Sequence, residues 1–557
     1  MTQLAEKLQP WLSALEGRPQ VGPRWLQDMR ARAASSFVAL GFPTVRDEDW
    51  RFTNIAPIAT TDFRPAADVA SHATEADLAG YLYSDAANRI VVVNGRFSAE
   101  LSRVSGLPKG VRVGSLAAAI TEHTEVVQRY LGQLADYGTR AFAALNTALA
   151  VDGAYVYIPD GVVIEQPLHL LFVSTAAASG QPVMSSTRAL VVAGERSQAR
   201  IVETYAGPRG SVYFTNAITE VFAGESAVID HYKVQEESVD AFHIASMHVH
   251  LARSSNVSSH SFSLGGKLVR NDAITILDGE GAECTLNGLY VADGERLIDN
   301  HTSIDHAKPH CPSHEIYKGI LGGKARAVFN GKIVVRQDAQ KTNAKQTNRA
   351  LLLSDDASIN TKPQLEIFAD DVKCTHGAAV GQLDEEAMFY LQARGLTRIE
   401  ARDMLLHARH EDLVARLLPR PREAVGDQVD RLGAAAGEDD LGGLARVEEA
   451  GNPLPGAFVG ARRPLAQQVR GAMDVGVVVA IVVVRRLDHR RRLLARIGAV
   501  EIHQRLAVHQ LAQDRKVRAD LRDVERGLGL GAWGLQRRNH FASSTSRASA
   551  VKNADSI

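Results

Sequence analysis

The segment KPQLEIFADDVKCTHGAAVGQLDEEAMFYLQAR (residues 362–394) contains the change of pattern around which the chain is organised. Its first part alternates apolar and polar side chains, which predicts a strand that carries Cys374 and His376 and breaks at Gly377. Alternate residues of a strand point to the same side, so the thiol and the imidazole share a face. Further along, apolar residues recur at helical spacing behind Asp384, a candidate N-cap. The sequence therefore predicts two ligands suited to iron where a β-region gives way to helices. For Cys374 the alternative is a small, buried side chain of the core.

Working towards the N-terminus, residues 150–376 consist of short alternating runs that end in Gly, Asp, Asn or Ser. The main turn residues, spaced by 30, 30, 25, 44 and 32 positions, are Gly194, Gly224, Ser254, Gly279, Gly323 and Asp355. Such a period without intervening helices favours a solenoid, in which each coil buries its apolar face against its neighbours. A β-sandwich, with turns about every 8–12 residues, is the alternative.

Helical patterns flank this β-region on both sides. Residues 1–149 are predicted to form a mainly helical domain, with helices at 4–15, 24–40 and 115–148 and a strand–turn–strand at 90–97. Trp50 and Phe52, within RDEDWRFTN, are interpreted as packing anchors of that domain. Residues 377–408 are predicted to begin a C-terminal helical domain, in which Thr397 and Glu400 form a capping box.

The composition of the chain and its apolar runs indicate the compartment in which the protein works. Three cysteines in 557 residues argue against a disulfide framework and favour a reducing compartment, with the cytoplasm as the predicted location. The start MTQLAEKLQPW lacks the pattern of a secretory signal, so no export is predicted. The longest apolar run, Val475–Val484, is about half the roughly 20 residues of a membrane-spanning helix, and no membrane segment is predicted.

The last part of the chain differs from the rest in charge and composition. Residues 1–410 carry 39 basic and 46 acidic side chains (net −7), whereas residues 411–557 carry 24 and 18 (net +6) and contain 22 Arg, 2 Lys and no Tyr. We interpret residues 409–557 as an atypical, poorly ordered tail produced by a change of reading frame. A real basic extension that binds nucleic acid or an acidic surface is the alternative; with almost no interleaved aromatic residues, nucleic-acid binding is not expected.

A second group of candidate ligands lies within DNHTSIDHAKPHCPSHEIYKG (299–319): His301, Asp305, His306, His310, Cys311, His314 and Glu315. No CxxC or HExxH spacing occurs here, so a permanent structural metal is not predicted, and hydrogen-bonded turn and interface residues are the alternative to transient metal chemistry. The chain also lacks a phosphate-binding GxxxxGK[ST] loop and a GxSxG nucleophile elbow. The residues themselves indicate no catalytic triad, carboxylate pair or nucleotide site.

Two long runs resemble a known family. Residues 287–335, beginning NGLYVADGERLIDNHTSIDHAKPHC, and residues 339–396, containing KTNAKQTNRALLLSDDASINTKPQLEI and DDVKCTHGAAVGQLDEEAMFYL, are similar to the SufB/SufD family of the SUF iron–sulfur cluster assembly system, and more to its SufD branch than to SufB. The DEDWRFTN motif near the N-terminus is similar to a Trp-centred motif of the same proteins. The resemblance covers roughly residues 1–408.

The resemblance implies a mainly β fold, a right-handed parallel β-helix core flanked by N-terminal and C-terminal helical regions. It implies a non-catalytic scaffold that pairs with a SufB-like paralogue and is coupled to a SufC-like ATPase through its C-terminal helices. It implies no permanently bound cofactor, but a transient Fe–S cluster at the interface with SufB. His376 matches the family's cluster-interface histidine, and Cys374 is its neighbour. Imidazole binds iron more weakly than thiolate, which suits release of a product.

Several alternatives stay open at this level. The altered C-terminus puts docking of the ATPase in doubt, and a homodimer could replace the pair with SufB. A SufB-like paralogue is the nearest rival identity. From another functional class, a β-helix enzyme acting on polysaccharides would use carboxylates along an open groove, which the scattered carboxylates here fit poorly. A plain interaction scaffold without any role in cluster assembly is the remaining hypothesis.

Overall fold

The computed structural model describes residues 10–17, 20–66, 73–82, 88–175, 180–402 and 405. The helices are α1 (residues 10–16), α2 (Arg24–Leu40), α3 (Ala56–Thr60), α4 (Glu75–Leu78), α5 (Leu116–Glu122), α6 (Thr124–Tyr130), α7 (Ala141–Leu149) and α8 (Glu385–Ala393), with a 3-10 turn at Glu48–Trp50 and a further helix that begins at residue 398. The predicted tail, residues 409–557, lies outside the described residues. Within the described part of the chain, no helix is both long and apolar enough to cross a membrane.

The strands fall into an N-terminal set and a long series of regular coils. The first strands are β1 (Arg64–Pro65), β2 (Asn88–Val93), β3 (Arg96–Phe97), β4 (Arg112–Ser115), β5 (Ala154–Ile158), β6 (Leu168–Val173), β7 (Val183–Ala193), β8 (Gln198–Ala206), β9 (Tyr213–Ala223) and β10 (Val228–Gln235). The remaining strands are β11 (Phe242–Leu251), β12 (Asn256–Ser263), β13 (Leu268–Leu277), β14 (Glu283–Ala292), β15 (Leu297–His306), β16 (Pro312–Leu321), β17 (Arg326–Val335), β18 (Asn343–Leu352), β19 (Ser358–Ile367) and β20 (Lys373–Gln382).

Two parallel sheets face each other and are built by alternate strands. One follows the order β19-β17-β15-β13-β11-β9-β7-β5-β4 and the other β20-β18-β16-β14-β12-β10-β8-β6-β2-β3. Only the terminal pairs β2–β3 and β4–β5 are antiparallel among the named strand pairs of the described residues. Each coil gives one strand to each sheet, so the chain forms a β-solenoid of about 7 turns over residues 168–382. This confirms the predicted solenoid and excludes the β-sandwich, whose sheets are antiparallel.

One corner of the solenoid repeats the same backbone conformation in each coil. A residue with positive φ, whose N–H donates to a carbonyl of the next coil, recurs at Gly161, Arg196, Ser226, Ser254, Gly281, His310 and Lys341. This corner connects the first sheet to the second. Gly323 and Asp355 lie instead at the opposite corner, between β16 and β17 and between β18 and β19. The 44-residue interval in the predicted turn series therefore arises because the series changes corner.

The core lies between the two sheets, where alternate side chains of every strand meet. A second apolar cluster lies outside the first sheet, where a column in register runs through Met184, Phe214, Phe242, Leu268 and Leu297. This column is covered by aromatic and aliphatic side chains of the N-terminal region, among them Trp11, Phe37, Ile58, Phe63 and Phe142. The N-terminal helices thus pack against one outer face of the solenoid.

Two of the predicted elements need correction. The predicted helix 115–148 is three helices, α5 to α7. The break between α5 and α6 falls at the non-helical His123, and α6 and α7 are separated because the N–H groups of Gly132, Leu134 and Ala135 donate to the buried carboxylate of Glu220. The strand predicted to break at Gly377 continues, as β20, to Gln382. Three other predicted features are confirmed: α2 has the predicted bounds, β2 and β3 form the strand–turn–strand, and Asp384 caps α8. Of the predicted helix 4–15, residues 4–9 lie outside the described residues and the remainder lies in α1.

Candidate functional site

The strand β20 places Cys374 and His376 at the end of the solenoid. It is the terminal strand of its sheet and pairs with β18, with Cys374 beside Ala344 and His376 beside Gln346. Ala344 and Gln346 are buried between the two sheets. Since partners in parallel register point to the same side, both candidate ligands lie on the inward face of the last coil, where no further coil of the described chain covers them.

Cys374 is half-buried, and its environment keeps the thiol protonated. It packs against Ile333, Val335, Ala344 and Ala369 at the end of the core. Burial raises the pKa of its thiol above the usual value, and a backbone hydrogen bond involving Ala344 only partly offsets this effect. The neighbouring imidazole of His376 is not among the groups that shift this pKa. Binding of iron by Cys374 requires that its proton leave first.

Beneath His376 lies a column of polar side chains that the sequence did not single out as a unit. Successive strands bring Glu315, Gln346 and His376 into register. Gln346 Nε2 donates a hydrogen bond of 2.7 Å to Glu315 Oε2. Burial raises the pKa of Glu315 to about 7, so that this carboxyl group exchanges its proton near neutral pH. His376 itself is exposed, at the open end of the column.

The 299–319 segment does not gather its candidate ligands into one site. His301 and Asp305 face outwards from β15, where His301 contacts Asp299 and Asp305 accepts two hydrogen bonds from Arg336. His306 faces the interior and pairs with Ser313, while the remaining members occupy the corner and β16. Among the described residues, no group of three or more His, Cys, Asp and Glu side chains could hold a metal ion. The hydrogen-bonded alternative describes this segment.

The DEDWRFTN motif has a more specific place than a general packing anchor. Trp50 packs against the second apolar cluster as predicted, but Phe52 is 43 % exposed, so its prediction as a packing anchor is wrong. The guanidinium group of Arg270, on β13, lies 3.9 Å from the ring centre of Trp50 and donates to the carbonyl of Asp49 at 2.5 Å. Thr53 Oγ1 donates to Asp299 Oδ2 at 2.5 Å. Glu48 forms an ion pair with Lys362 on β19. The motif therefore runs along the outside of the first sheet as far as the last coil.

A second buried polar group lies within the solenoid, several coils from β20. Glu203 accepts from His231 at 3.1 Å, and Lys233 contacts His243 at 3.1 Å. His243 contacts Glu237 at 2.8 Å. Burial lowers the pKa of Lys233 to about 8 in spite of the nearby carboxylates. All five side chains are buried. Further hydrogen bonds join them to neighbouring polar side chains, namely Tyr205, Thr219, Ser259, Asn271, Thr215 and Gln235, so this group stabilises one arrangement of the interior.

The end of the solenoid also exposes large apolar side chains. Ile367 is the last residue of β19, Phe368 follows it, and Val380 lies on β20; their exposed fractions are 38, 64 and 48 %. On and after α8, Phe389 and Ile399 are 72 and 67 % exposed. Large apolar side chains exposed at one end of a fold are typical of protein interaction sites. The two candidate ligands thus lie next to a surface suited to a protein partner.

Known proteins share both the N-terminal region and the solenoid. The family model described as the SufBD protein N-terminal region matches residues 20–170, and the model described as the SufBD core domain of SUF system FeS cluster assembly matches residues 173–409. The core match ends where the composition of the chain changes.

Individual relatives agree with these models. The chain is 36 % identical, over 69 % of its length and 85 % of the relative, to an iron-sulfur cluster assembly SufBD family protein of Synechocystis. It is 31 % identical to the iron-sulfur cluster assembly protein SufD of Escherichia coli, over 66 % of this chain and 84 % of that one. A chloroplastic protein of Arabidopsis thaliana, ABCI7, is 30 % identical over 76 % of this chain and 88 % of its own length. The chain belongs to the SufBD family of iron–sulfur cluster assembly proteins and is of the SufD type.

Proposed function

We propose that the protein is a non-catalytic scaffold subunit on which a nascent iron–sulfur cluster is held between this chain and a SufB-like paralogue. The observation that carries the proposal is the position of Cys374 and His376 side by side on the inward face of the uncovered end strand β20. Two donors are fewer than the four protein ligands that Fe–S clusters usually take, so the partner supplies the others. The cluster is the cargo of the complex and leaves with an acceptor protein.

The exposed apolar residues around the open end support an interface at this position. Ile367, Phe368 and Val380 would be covered by the partner, which would also exclude water from the bound cluster. Because burial keeps the Cys374 thiol protonated, His376 is the more readily available ligand of the two. A neutral imidazole also releases iron more easily than a thiolate. In this proposal a change in the partner interface opens the site and frees the product.

Coupling to a SufC-like ATPase would use the helical region that begins with α8. Phe389, Tyr390 and Ile399 are exposed there and offer an apolar surface to a partner. The predicted continuation of this region beyond residue 405 lies outside the described residues. Binding of the ATPase is therefore proposed separately from formation of the pair with the SufB-like subunit. The first experiment measures both interactions.

The test is co-purification of the full chain with SufB and SufC, followed by an anaerobic absorbance spectrum and analysis of iron and sulfide. We expect His376→Ala to lose the cluster but to keep the complex. The matched control is Thr375→Ala, because Thr375 is exposed on the same strand and points to the opposite side. An unchanged cluster content in His376→Ala would contradict the proposal. Absence of SufC alone from the purified complex would locate a defect in the C-terminal region.

A further inference from the structure

Gln346 carries a buried oxygen atom that has no hydrogen-bond partner. The residue is 1 % exposed, and among the described residues its Oε1 accepts no hydrogen bond, although its Nε2 is bound to Glu315. Leaving such an acceptor unpaired inside a protein costs about 1–3 kcal/mol. Buried side-chain oxygen atoms without a partner are uncommon and often mark a functional group. The side chain that lies next to this oxygen in the column is therefore a candidate hydrogen-bond donor to it.

The amide of Gln346 is held in one orientation. On the side of β16, Glu315 Oε2 accepts from Nε2 at 2.7 Å, which directs the nitrogen end of the amide towards that strand. From the opposite sheet, Gly331 makes room for the side chain, since a Cβ atom at residue 331 would lie 2.2 Å from Nε2. With the nitrogen end of the amide bound on the side of β16, Oε1 is the end that is left for a group on the other neighbouring strand, β20. On β20 the residue in register is His376.

We propose that Gln346 is the positioning residue of His376: its Oε1 accepts a hydrogen bond from one ring N–H of the imidazole when the cluster interface is assembled. This inference rests on the function proposed above. Neighbouring strands lie about 4.8 Å apart, so side chains in register on the same face are within reach of one another. This single hydrogen bond gives Gln346 Oε1 a donor and fixes the orientation of the His376 ring. It also selects the tautomer whose other nitrogen is free to bind iron.

The choice of an amide rather than a carboxylate has a chemical consequence. Histidine ligands of metals usually donate their second N–H to a carboxylate, a carbonyl or water, and a carboxylate partner makes the imidazole a stronger ligand. The oxygen of Gln346 is neutral, so it orients His376 with little increase in basicity. The result is a well-placed but weak ligand, which suits a site that must give up its cluster. Glu315 contributes by holding Gln346 and does not contact the imidazole itself in this arrangement.

The first test reads the tautomer of His376 in the full chain bound to an unlabelled SufB-like subunit, without iron. Histidine is labelled with ¹⁵N in the ring, and the signals of His376 are identified by their loss in His376→Gln. We expect the two ring nitrogens to give well-separated signals in the wild type, and to shift towards each other in Gln346→Leu as the tautomers interconvert. The matched control is Asn348→Leu, since Asn348 is buried on the same face of β18 but is paired with Ala378. Identical His376 signals in the wild type and Gln346→Leu would overturn the inference.

A second test uses the complex with the SufB-like subunit and keeps the two proposals apart. We expect Gln346→Leu to raise the iron concentration needed for half-maximal cluster formation about 10-fold. The double variant Glu315→Gln/Gln346→Glu exchanges the two groups, keeps an oxygen beside His376 and is expected to restore formation. Loss of cluster in His376→Ala with normal formation in Gln346→Leu would overturn this inference alone. Normal formation in His376→Ala would overturn the proposed function as well.

Discussion

At the scale of single residues, the sequence could place Cys374 and His376 on one face of a strand, because alternation along a strand is a local property. It could not reveal what lies beneath them. Gln346 and Glu315 are 30 and 61 residues earlier in the chain and reach His376 only through the register of successive coils. The repeat in the sequence contained this information, because residues 315, 346 and 376 are separated from one another by about one coil each. Finding it requires the register of each strand, which turn positions alone do not define.

Alkylation of the folded chain tests the environment of Cys374. Cys284 and Cys311 are fully buried, so we expect iodoacetamide to modify Cys374 alone. Since burial raises the pKa of this thiol, its rate should rise about tenfold per pH unit through pH 9 and not level off earlier. The modified residue is identified by mass spectrometry of peptides.

The control for this measurement is His376→Gln, which removes the imidazole but keeps the strand. Because burial and not the imidazole determines the thiol pKa, the pH dependence in this variant should match that of the wild type. A rate that levels off below pH 8 in the wild type, and not in the variant, would show that His376 stabilises the thiolate after all.

At the scale of elements, the period of the turns predicted stacked coils correctly because each coil is a local unit that repeats. The helices that cover the solenoid were harder to predict. The column through Phe214, Phe242 and Leu268 points away from the core, yet its residues are as apolar as those inside, since the N-terminal region covers them. A strand that is buried on both faces loses the alternation that would identify its inner side. The position of the DEDWRFTN segment depends on such contacts across more than 200 residues.

Substitution of Arg270 tests how this segment is held. The guanidinium group is 1 % exposed and neutralises Asp272 and Asp299, both at 3.0 Å. In Arg270→Met these carboxylates lose their buried cation, so we expect a loss of about 3–5 kcal/mol in the free energy of unfolding. Unfolding in urea, followed by circular dichroism, measures the loss. Limited trypsin digestion should also cleave at Arg46 and Arg51 faster, because the segment loses its contact with the solenoid.

Arg336→Met provides the matched control. Arg336 makes two hydrogen bonds to Asp305 on the same sheet, but it is 55 % exposed, and pairs of this kind contribute less than about 1 kcal/mol. Equal losses in the free energy of unfolding in Arg270→Met and Arg336→Met would mean that burial of Arg270 with its two carboxylates adds no stability. Unchanged trypsin cleavage in Arg270→Met would show that other contacts hold the segment.

At the scale of the whole molecule, the protein buries neutral histidines in addition to apolar residues: His306 lies inside the solenoid, whereas His169, His248 and His260 lie on the outer faces of their strands. Burial lowers the pKa of His169 to about 3 and those of His248, His260 and His306 to about 4. Composition gave no sign of this, since the net charge of the chain is −1 and its 19 histidines are spread along the sequence. Whether a histidine faces the interior depends on its register within a coil. The stability of a chain whose net charge is close to zero therefore depends strongly on pH.

The sign of that dependence follows from proton binding. Between pH 6.5 and about 4 the unfolded chain binds protons at these four histidines and the folded chain does not, so stability falls as the pH falls. Each histidine costs about 2 kcal/mol at pH 5. Glu315, whose pKa is raised to about 7, acts in the opposite direction and offsets about one of them, because it takes up its proton more readily when folded. The remaining loss is comparable to the whole stability of a typical domain, about 5–15 kcal/mol.

We therefore expect the solenoid to unfold between about pH 5 and 6 at a temperature where it is stable at pH 7.5, as measured by the loss of β-sheet circular dichroism. In His306→Gln one of these groups no longer titrates, so the midpoint should move to lower pH. His250→Gln is the control, because His250 is partly exposed on the outer face and pairs with Asp278 at the surface. A midpoint below pH 4, or equal shifts in both variants, would mean that these histidines remain accessible to protons in the folded chain. The shift in His306→Gln thus reports whether the interior of the solenoid is closed to water, which is also the condition under which the column beneath His376 can hold its oxygen in place.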